Sequence, residues 1–134
     1  MSDQVEEKRG RVEWGAVTVD CPDPRVLAEF YVVLLGGQVT RRTADETNVD
    51  AGGMLLNFRA VPGYRPPTWP TSDVPLHSHF DYVVEDPEAL ADDLLGLGGS
   101  LSPHQDLANR NLLVVLDPAG HPLCLLRSSA ARRF

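Results

Sequence analysis

Residues 23–37 read DPRVLAEFYVVLLGG, and residues 86–99 read DPEALADDLLGLGG. Both stretches open on Asp-Pro, carry Leu-Ala in the first turn and close on Gly-Gly. An aspartate followed by proline suits a helix start. Asp23 and Asp86 can accept from the free amides of the first turn, while Pro24 and Pro87 take the first helical position, where no donor is needed. Each glycine pair supplies the left-handed residue that ends a helix. Leu27, Tyr31 and Leu34, like Leu90, Leu94 and Leu97, recur at i, i+4 and i+7, so each predicted helix presents one apolar stripe.

The same comparison extends downstream, where DAGGMLLNF (50–58) lies on DPAGHPLCL (117–125). The chain therefore reads as a tandem duplication. Alternating strands precede the helices at 13–20 and 78–85. Three short strand candidates follow each: 38–43, 46–50 and 54–61 in the first copy, and 100–103, 110–116 and 123–127 in the second. The unit is β-α-β-β-β, used twice in an α+β fold, with module one at about 12–61 and module two at about 76–127. Between them, Pro62, Pro66, Pro67, Pro70 and Pro75 forbid helix and central strand over about 61–75. This linker is either the rim of a site or a plain connector.

At 134 residues, with 43% hydrophobic and 23% charged residues, the chain is one ordinary globular domain. Its 12 basic and 19 acidic residues give a formal charge of −7, which repels phosphate backbones and anionic lipid surfaces, so neither nucleic acid nor membrane is an expected partner. No stretch approaches the roughly 18–20 apolar residues of a membrane span, and MSDQVEEKRG lacks the apolar core of a signal peptide. The predicted location is cytoplasmic. Cys21 and Cys124 fit no zinc or redox spacing and are expected as free thiols. Arg127, Arg132 and Arg133 are expected in a solvated, frayed end.

The duplicated unit, with FYVVLLGG in the first copy and HFDYVVEDPEAL and DPAGHPLCLL in the second, resembles the vicinal oxygen chelate superfamily of glyoxalases, bleomycin-resistance proteins and ring-cleaving dioxygenases. The resemblance covers about residues 12–127. It implies a curled, mixed, mostly antiparallel sheet cup with the helices on its outer face, and a homodimer. Metal-dependent members carry His or Gln on the first strand and Glu on the last strand of each module. Those positions fall on Ala16, Asn57, His79 and Cys124, of which His79 alone keeps the pattern. No metal and no cofactor are expected on that ground.

Within LHSHFDYVVEDPEAL (76–90), the period of two puts His77, His79 and Asp81 on one strand face. Alternation adds Trp14, Ala16 and Thr18, then Leu55, Asn57 and Arg59, then Pro122, Cys124 and Leu126 to the concave side. Val17, Val19, Phe80, Tyr82 and Val84 are left for the helices. The candidate catalytic residues are His79 as general base, with Asp81 or Cys124 in support. The bland alternatives are a satisfied His79–Asp81 pair and Cys124 as a small buried hydrophobe. The candidate ligand-binding residues are Trp14, Thr18, Asn57, Arg59, His77 and Leu126. An Arg59 guanidinium directed into a cup needs a carboxylate, either Asp81 or one on the ligand, and Trp14 could stack on a flat ring. The expected ligand is thus a small organic molecule, planar and weakly anionic. His104 and His121 fall in loops and are expected to be solvated. The functional reading is metal-free small-molecule binding. Its alternatives are a lyase or isomerase using His79, and a metal-dependent glyoxalase-type lyase or dioxygenase.

Overall fold

A computed structural model describes residues 12–130. The order of elements is β1 (Val17–Cys21), α1 (Pro24–Leu35), β2 (Gln38–Arg42), β3 (Glu46–Ala51), β4 (Met54–Ala60), β5 (Phe80–Val84), α2 (Pro87–Leu95), β6 (Ser100–Leu101), β7 (Leu112–Leu116) and β8 (Pro122–Arg127). The strands form two four-stranded sheets of the same design, β1-β4-β3-β2 and β5-β8-β7-β6. In each, the first strand runs parallel to the last strand of its module and the remaining pairs are antiparallel. The duplicated β-α-β-β-β unit is present in both halves. Among the described residues, no helix is long and apolar enough to cross a membrane.

The helix starts follow the capping logic of the repeated Asp-Pro. The Asp23 carboxylate accepts from the Arg25 amide and that of Asp86 from the Ala89 amide, both at 3.1 Å. At the other end the two glycines of each pair do different work. Gly36 (φ 69°) and Gly98 (φ 90°) take the left-handed conformation. Their neighbours must lack a side chain: a Cβ on Gly37 would lie 2.6 Å from the Asp50 carbonyl oxygen, and one on Gly99 would lie 2.8 Å from Phe30 Cε2. Helix α2 stops at Leu95, short of the predicted stripe, so Leu97 packs on the core from the following turn.

One core joins the two modules. Leu27, Phe30 and Tyr31 of α1, Leu56 and Phe58 of β4, Leu94 of α2 and Leu123 and Leu125 of β8 are all fully buried. Tyr31 stacks on Phe58 (centroids 5.0 Å apart) and meets Phe80 edge-on at 6.2 Å, bridging the modules with aromatic surface. Val17, Val19, Phe80, Tyr82 and Val84 face this core, as alternation requires.

Two expectations change. The first strands are shorter than predicted, so Trp14, Ala16, His77 and His79 precede β1 and β5 rather than lying in them. Arg127 is not frayed: it ends β8 and holds both Glu88 carboxylate oxygens, at 2.6 and 2.7 Å. Arg132 and Arg133 lie outside the described residues.

Gly99→Ala should destabilise the fold by about 2 kcal/mol, because the added methyl meets both Phe30 and the Leu94 carbonyl at overpacked distances. Denaturant unfolding of the variant beside the parent measures it; an unchanged midpoint would show that the turn yields freely.

Candidate functional site

Parallel pairing sets Asp81 opposite Cys124 across β5 and β8. Both side chains leave the helix-packed face, and His79 arrives from the residue before β5. The three converge: His79 Nε2 lies 3.2 Å from Asp81 Oδ1, and one ligand atom from each of His79, Asp81 and Cys124 falls within 4.8 Å of the other two. His79 and Asp81 remain well exposed. Cys124 is less so, and burial together with the Asp81 charge and its hydrogen bond to the thiol pushes the thiol up to about 11. At neutral pH the sulfur therefore keeps its proton, and the His79 ring and the Cys124 thiol both lie close to the Asp81 carboxylate.

On module one the register places Thr18 opposite Asn57 and Asp20 opposite Arg59. Asn57 Nδ2 donates to Thr18 Oγ1 (3.2 Å) and to Glu46 Oε1 (3.4 Å), while its Oδ1 is buried with no partner among the described residues. Arg59 donates from Nε (3.2 Å) and Nη2 (2.9 Å) to Asp20 Oδ1. The expectation that Asp81 or a ligand carboxylate neutralises Arg59 is thereby corrected: its partner is the neighbouring-strand aspartate, and the guanidinium is half exposed. Trp14 is 70% exposed. Neither Trp14 nor Arg59 lines the cavity beside β1 and β5, so they do not form a clamp there; Arg59 instead borders a separate open depression with Arg41, Asp45 and Glu46.

That cavity, of about 570 Å³, follows the gap between β1 and β5, the free edges of the two sheets. Because it opens at edges, it takes side chains from both sheet faces: Val17, Val19 and Phe80 from the helix side, Thr18, Asp20 and His79 from the concave side. The proline-rich segment supplies a further wall through Tyr64, Arg65, Pro67, Val74 and Pro75, with His77 just beyond it and Tyr31 and Leu123 closing the floor. Segment 61–75 is a rim. Of the residues expected to bind ligand, Thr18 and His77 line this space, whereas Asn57 and Leu126 do not.

One lining residue escapes the sequence reading. His121, expected in solvent, has a side chain only 22% exposed. Its Nδ1 lies 2.8 Å from Asp117 Oδ2, and its Nε2 faces the Tyr64 hydroxyl at 3.2 Å. Asp117, with a fully buried carboxylate, also accepts from the Tyr31 hydroxyl at 2.8 Å and from the amides of Ala119 (2.9 Å) and His121 (3.0 Å). Tyr64 donates to the Ala119 carbonyl at 2.7 Å. Burial and the Asp117 charge push the Tyr31 and Tyr64 hydroxyls far up, so both stay protonated. The signal was present in DPAGH: an aspartate whose turn returns a histidine four residues later. His104, by contrast, is exposed, and meets Trp69 edge-on at 6.2 Å.

The sequence matches the glyoxalase-like domain family over residues 16–126. The chain belongs to that family. Its fold recurs in a glyoxalase family protein from Enterococcus faecalis, 24% identical, with a TM-score of 0.61 over 85% of this chain and 96% of that one. A fosfomycin resistance protein from Listeria monocytogenes is 12% identical, with a TM-score of 0.63 over 91% and 95%. A glyoxalase/bleomycin resistance protein from Albidiferax ferrireducens T118 is 20% identical, with a TM-score of 0.57 over 84% and 96%. No curated protein matches the chain significantly.

The divalent ion of metal-dependent relatives would draw ligands from both modules of this glyoxalase-like chain. Module one does not fit that role: Ala16 has no donor, and Asn57 offers an amide oxygen, a weak ligand for zinc or iron. Module two does present a three-donor face in His79, Asp81 and Cys124.

Both cysteines should resist alkylation. Burial and nearby carboxylates push Cys21 as well as Cys124 up to about 11, so the reactive thiolate is scarce at pH 8 and grows only as pH climbs toward that value. Native protein treated with iodoacetamide at pH 8 should react at least about 10-fold more slowly than free cysteine. Rapid labelling of Cys124 would mean a thiolate is held there after all.

Proposed function

We propose that this glyoxalase-like protein binds a small organic molecule in the cavity between its modules and needs no metal to do so. The observation that carries the reading is the cavity itself. Its volume of about 570 Å³ lies within the range of small-molecule sites, and a few polar groups interrupt apolar walls from both modules and the rim. The four-position ligand pattern is broken at Ala16 and Asn57. The Asp81 carboxylate has partners without an ion, from the His79 ring at 3.2 Å and the protonated Cys124 thiol. The outer sheet edges β2 and β6 offer pairing surfaces for a second copy, which supports a homodimer; the free thiols accord with a cytoplasmic location.

Two enzymatic readings have observations of their own. Asp81 beside His79 can orient the ring as a general base in a lyase or isomerase. The three-donor face favours the metal-dependent alternative, in which His79, Asp81 and Cys124 would hold an ion that polarises a substrate oxygen.

Elemental analysis and native mass spectrometry of protein purified without added metal or chelator separate these readings. The expected result is far less than one equivalent of zinc, nickel, iron or manganese, with a small organic molecule retained. Near-stoichiometric metal that disappears in His79→Ala would replace the first reading with the metal-dependent one. Steady turnover of the retained compound, abolished in His79→Ala with no metal present, would establish the general-base enzyme. Light scattering that finds only monomer at micromolar concentration would remove the dimer.

A further inference from the structure

The charges on the cavity wall are unlike those of the chain as a whole. The protein carries a formal charge of −7. Yet the titratable lining consists of Arg65, the three histidines His77, His79 and His121, the tyrosines and one carboxylate, Asp20. That carboxylate is already engaged by two hydrogen bonds from Arg59. His121 is committed to Asp117 and Tyr64, and His79 to Asp81. Arg65 forms no ion pair and no side-chain hydrogen bond with any described residue. An exposed guanidinium with no acceptor among the described residues, at the edge of a largely apolar cavity, keeps its planar fork of donors free to exchange water for a ligand anion.

The backbone that carries Arg65 is held on both sides. Tyr64 is anchored through its hydroxyl to the Ala119 carbonyl at 2.7 Å and sits beside the His121 ring at 3.2 Å. Pro66 lies so close over the 117–121 turn that a Cβ on Gly120 would come within 2.8 Å of the Pro66 Cβ. Farther along, Thr68 Oγ1 accepts from the Val74 amide at 2.9 Å and the Thr68 amide donates to the Val74 carbonyl at 2.8 Å, closing the rim on itself. Arg65 thus projects from a segment pinned to module two, which lowers the ordering cost of using it as a ligand contact.

We propose that the cavity takes a small organic anion, with Arg65 reading its charged group, His77 beside it, and the apolar body against Val17, Val19 and Phe80. This rests on the binding reading above and narrows it to a chemical class: a carboxylate or a phosphorus oxyanion on a hydrophobic frame. Arg65 supplies bidentate geometry for either group. Tyr64 acts as a positioning residue, fixing the backbone from which Arg65 extends.

Titration calorimetry on the full chain, with benzoate, phenylphosphonate and the neutral benzamide as probes, tests the assignment. In the parent protein the two anions should bind at least about 10-fold more tightly than benzamide. Arg65→Gln should bring the anions down to the benzamide level, while Arg65→Lys keeps part of the preference. Arg65 is exposed, so the unfolding midpoint of Arg65→Gln should match the parent and separate lost recognition from lost fold. Tyr64→Phe should lower the benzoate-to-benzamide ratio, which a purely structural role would leave alone. Equal binding of benzoate and benzamide overturns anion selectivity and leaves the cavity reading standing. Anions held as tightly by Arg65→Gln as by the parent overturn the role of Arg65. Failure of all three probes to bind at millimolar concentration overturns both the anion inference and the cavity reading.

Discussion

The buried carboxylate of Asp117 is the constraint around which the two halves are organised. Taking an ionised carboxylate out of water costs several kcal/mol unless donors replace the lost hydration, and here four do: the Tyr31 hydroxyl, the His121 ring and the amides of Ala119 and His121. The donors come from different parts of the chain. Tyr31 belongs to the helix of module one, the amides to the last turn of module two, and His121 passes the connection to Tyr64 of the linker. One group therefore fixes the approach of the modules, the shape of a turn and the seat of the rim. Non-directional packing around Phe58, Phe80 and Leu123 drives the modules together, but it would tolerate sliding; the directional bonds to Asp117 select one arrangement.

The duplication explains why the described residues hold one such centre rather than two. Asp50 occupies the corresponding place in module one, where its carboxylate merely accepts from the Gly53 amide at 3.0 Å in an exposed turn. The helix position matching Tyr31 is Leu94 in module two, a residue that fills core and donates nothing. The copies have thus divided their labour. Module one contributes the hydroxyl, module two the acceptor and the histidine. A similar asymmetry marks the concave faces: Asn57 and Thr18 bond to each other on one side, while His79, Asp81 and Cys124 gather on the other.

Local rules made the scaffold readable. Asp-Pro before Leu-Ala, Gly-Gly after an apolar stripe, and period-two alternation each depend on a few neighbouring residues, so the helices and the strand faces could be inferred without knowing the tertiary contacts. The cluster of His79, Asp81 and Cys124 was legible for the same reason, two of its members sharing a strand period. What escaped depends on pairing between distant segments. Arg59 meets Asp20 because β1 runs parallel to β4 in a particular register. Tyr64 gains its role from a turn that lies far along the chain, and no periodicity marks it. Extending the first strand past its real start at Val17 puts Trp14 on the concave face, an error of boundary rather than of pattern.

The cavity follows from the same division between local and distant effects. Two modules that each ended in a closed sheet would leave no gap. Here β1 and β5 have one hydrogen-bonded neighbour apiece, and the seam between them is covered by a segment too rich in proline to add a strand. A covering that cannot pair must be held by side chains, which is what Tyr64 and Pro66 do against module two, while Thr68 closes the segment on itself. The seam consequently keeps both its opening and its shape. The price of sealing it with sheet would have been the loss of a site whose polar groups come from three separate parts of the chain. The position of that wall traces back to Asp117, since the ring that faces Tyr64 is the ring Asp117 holds.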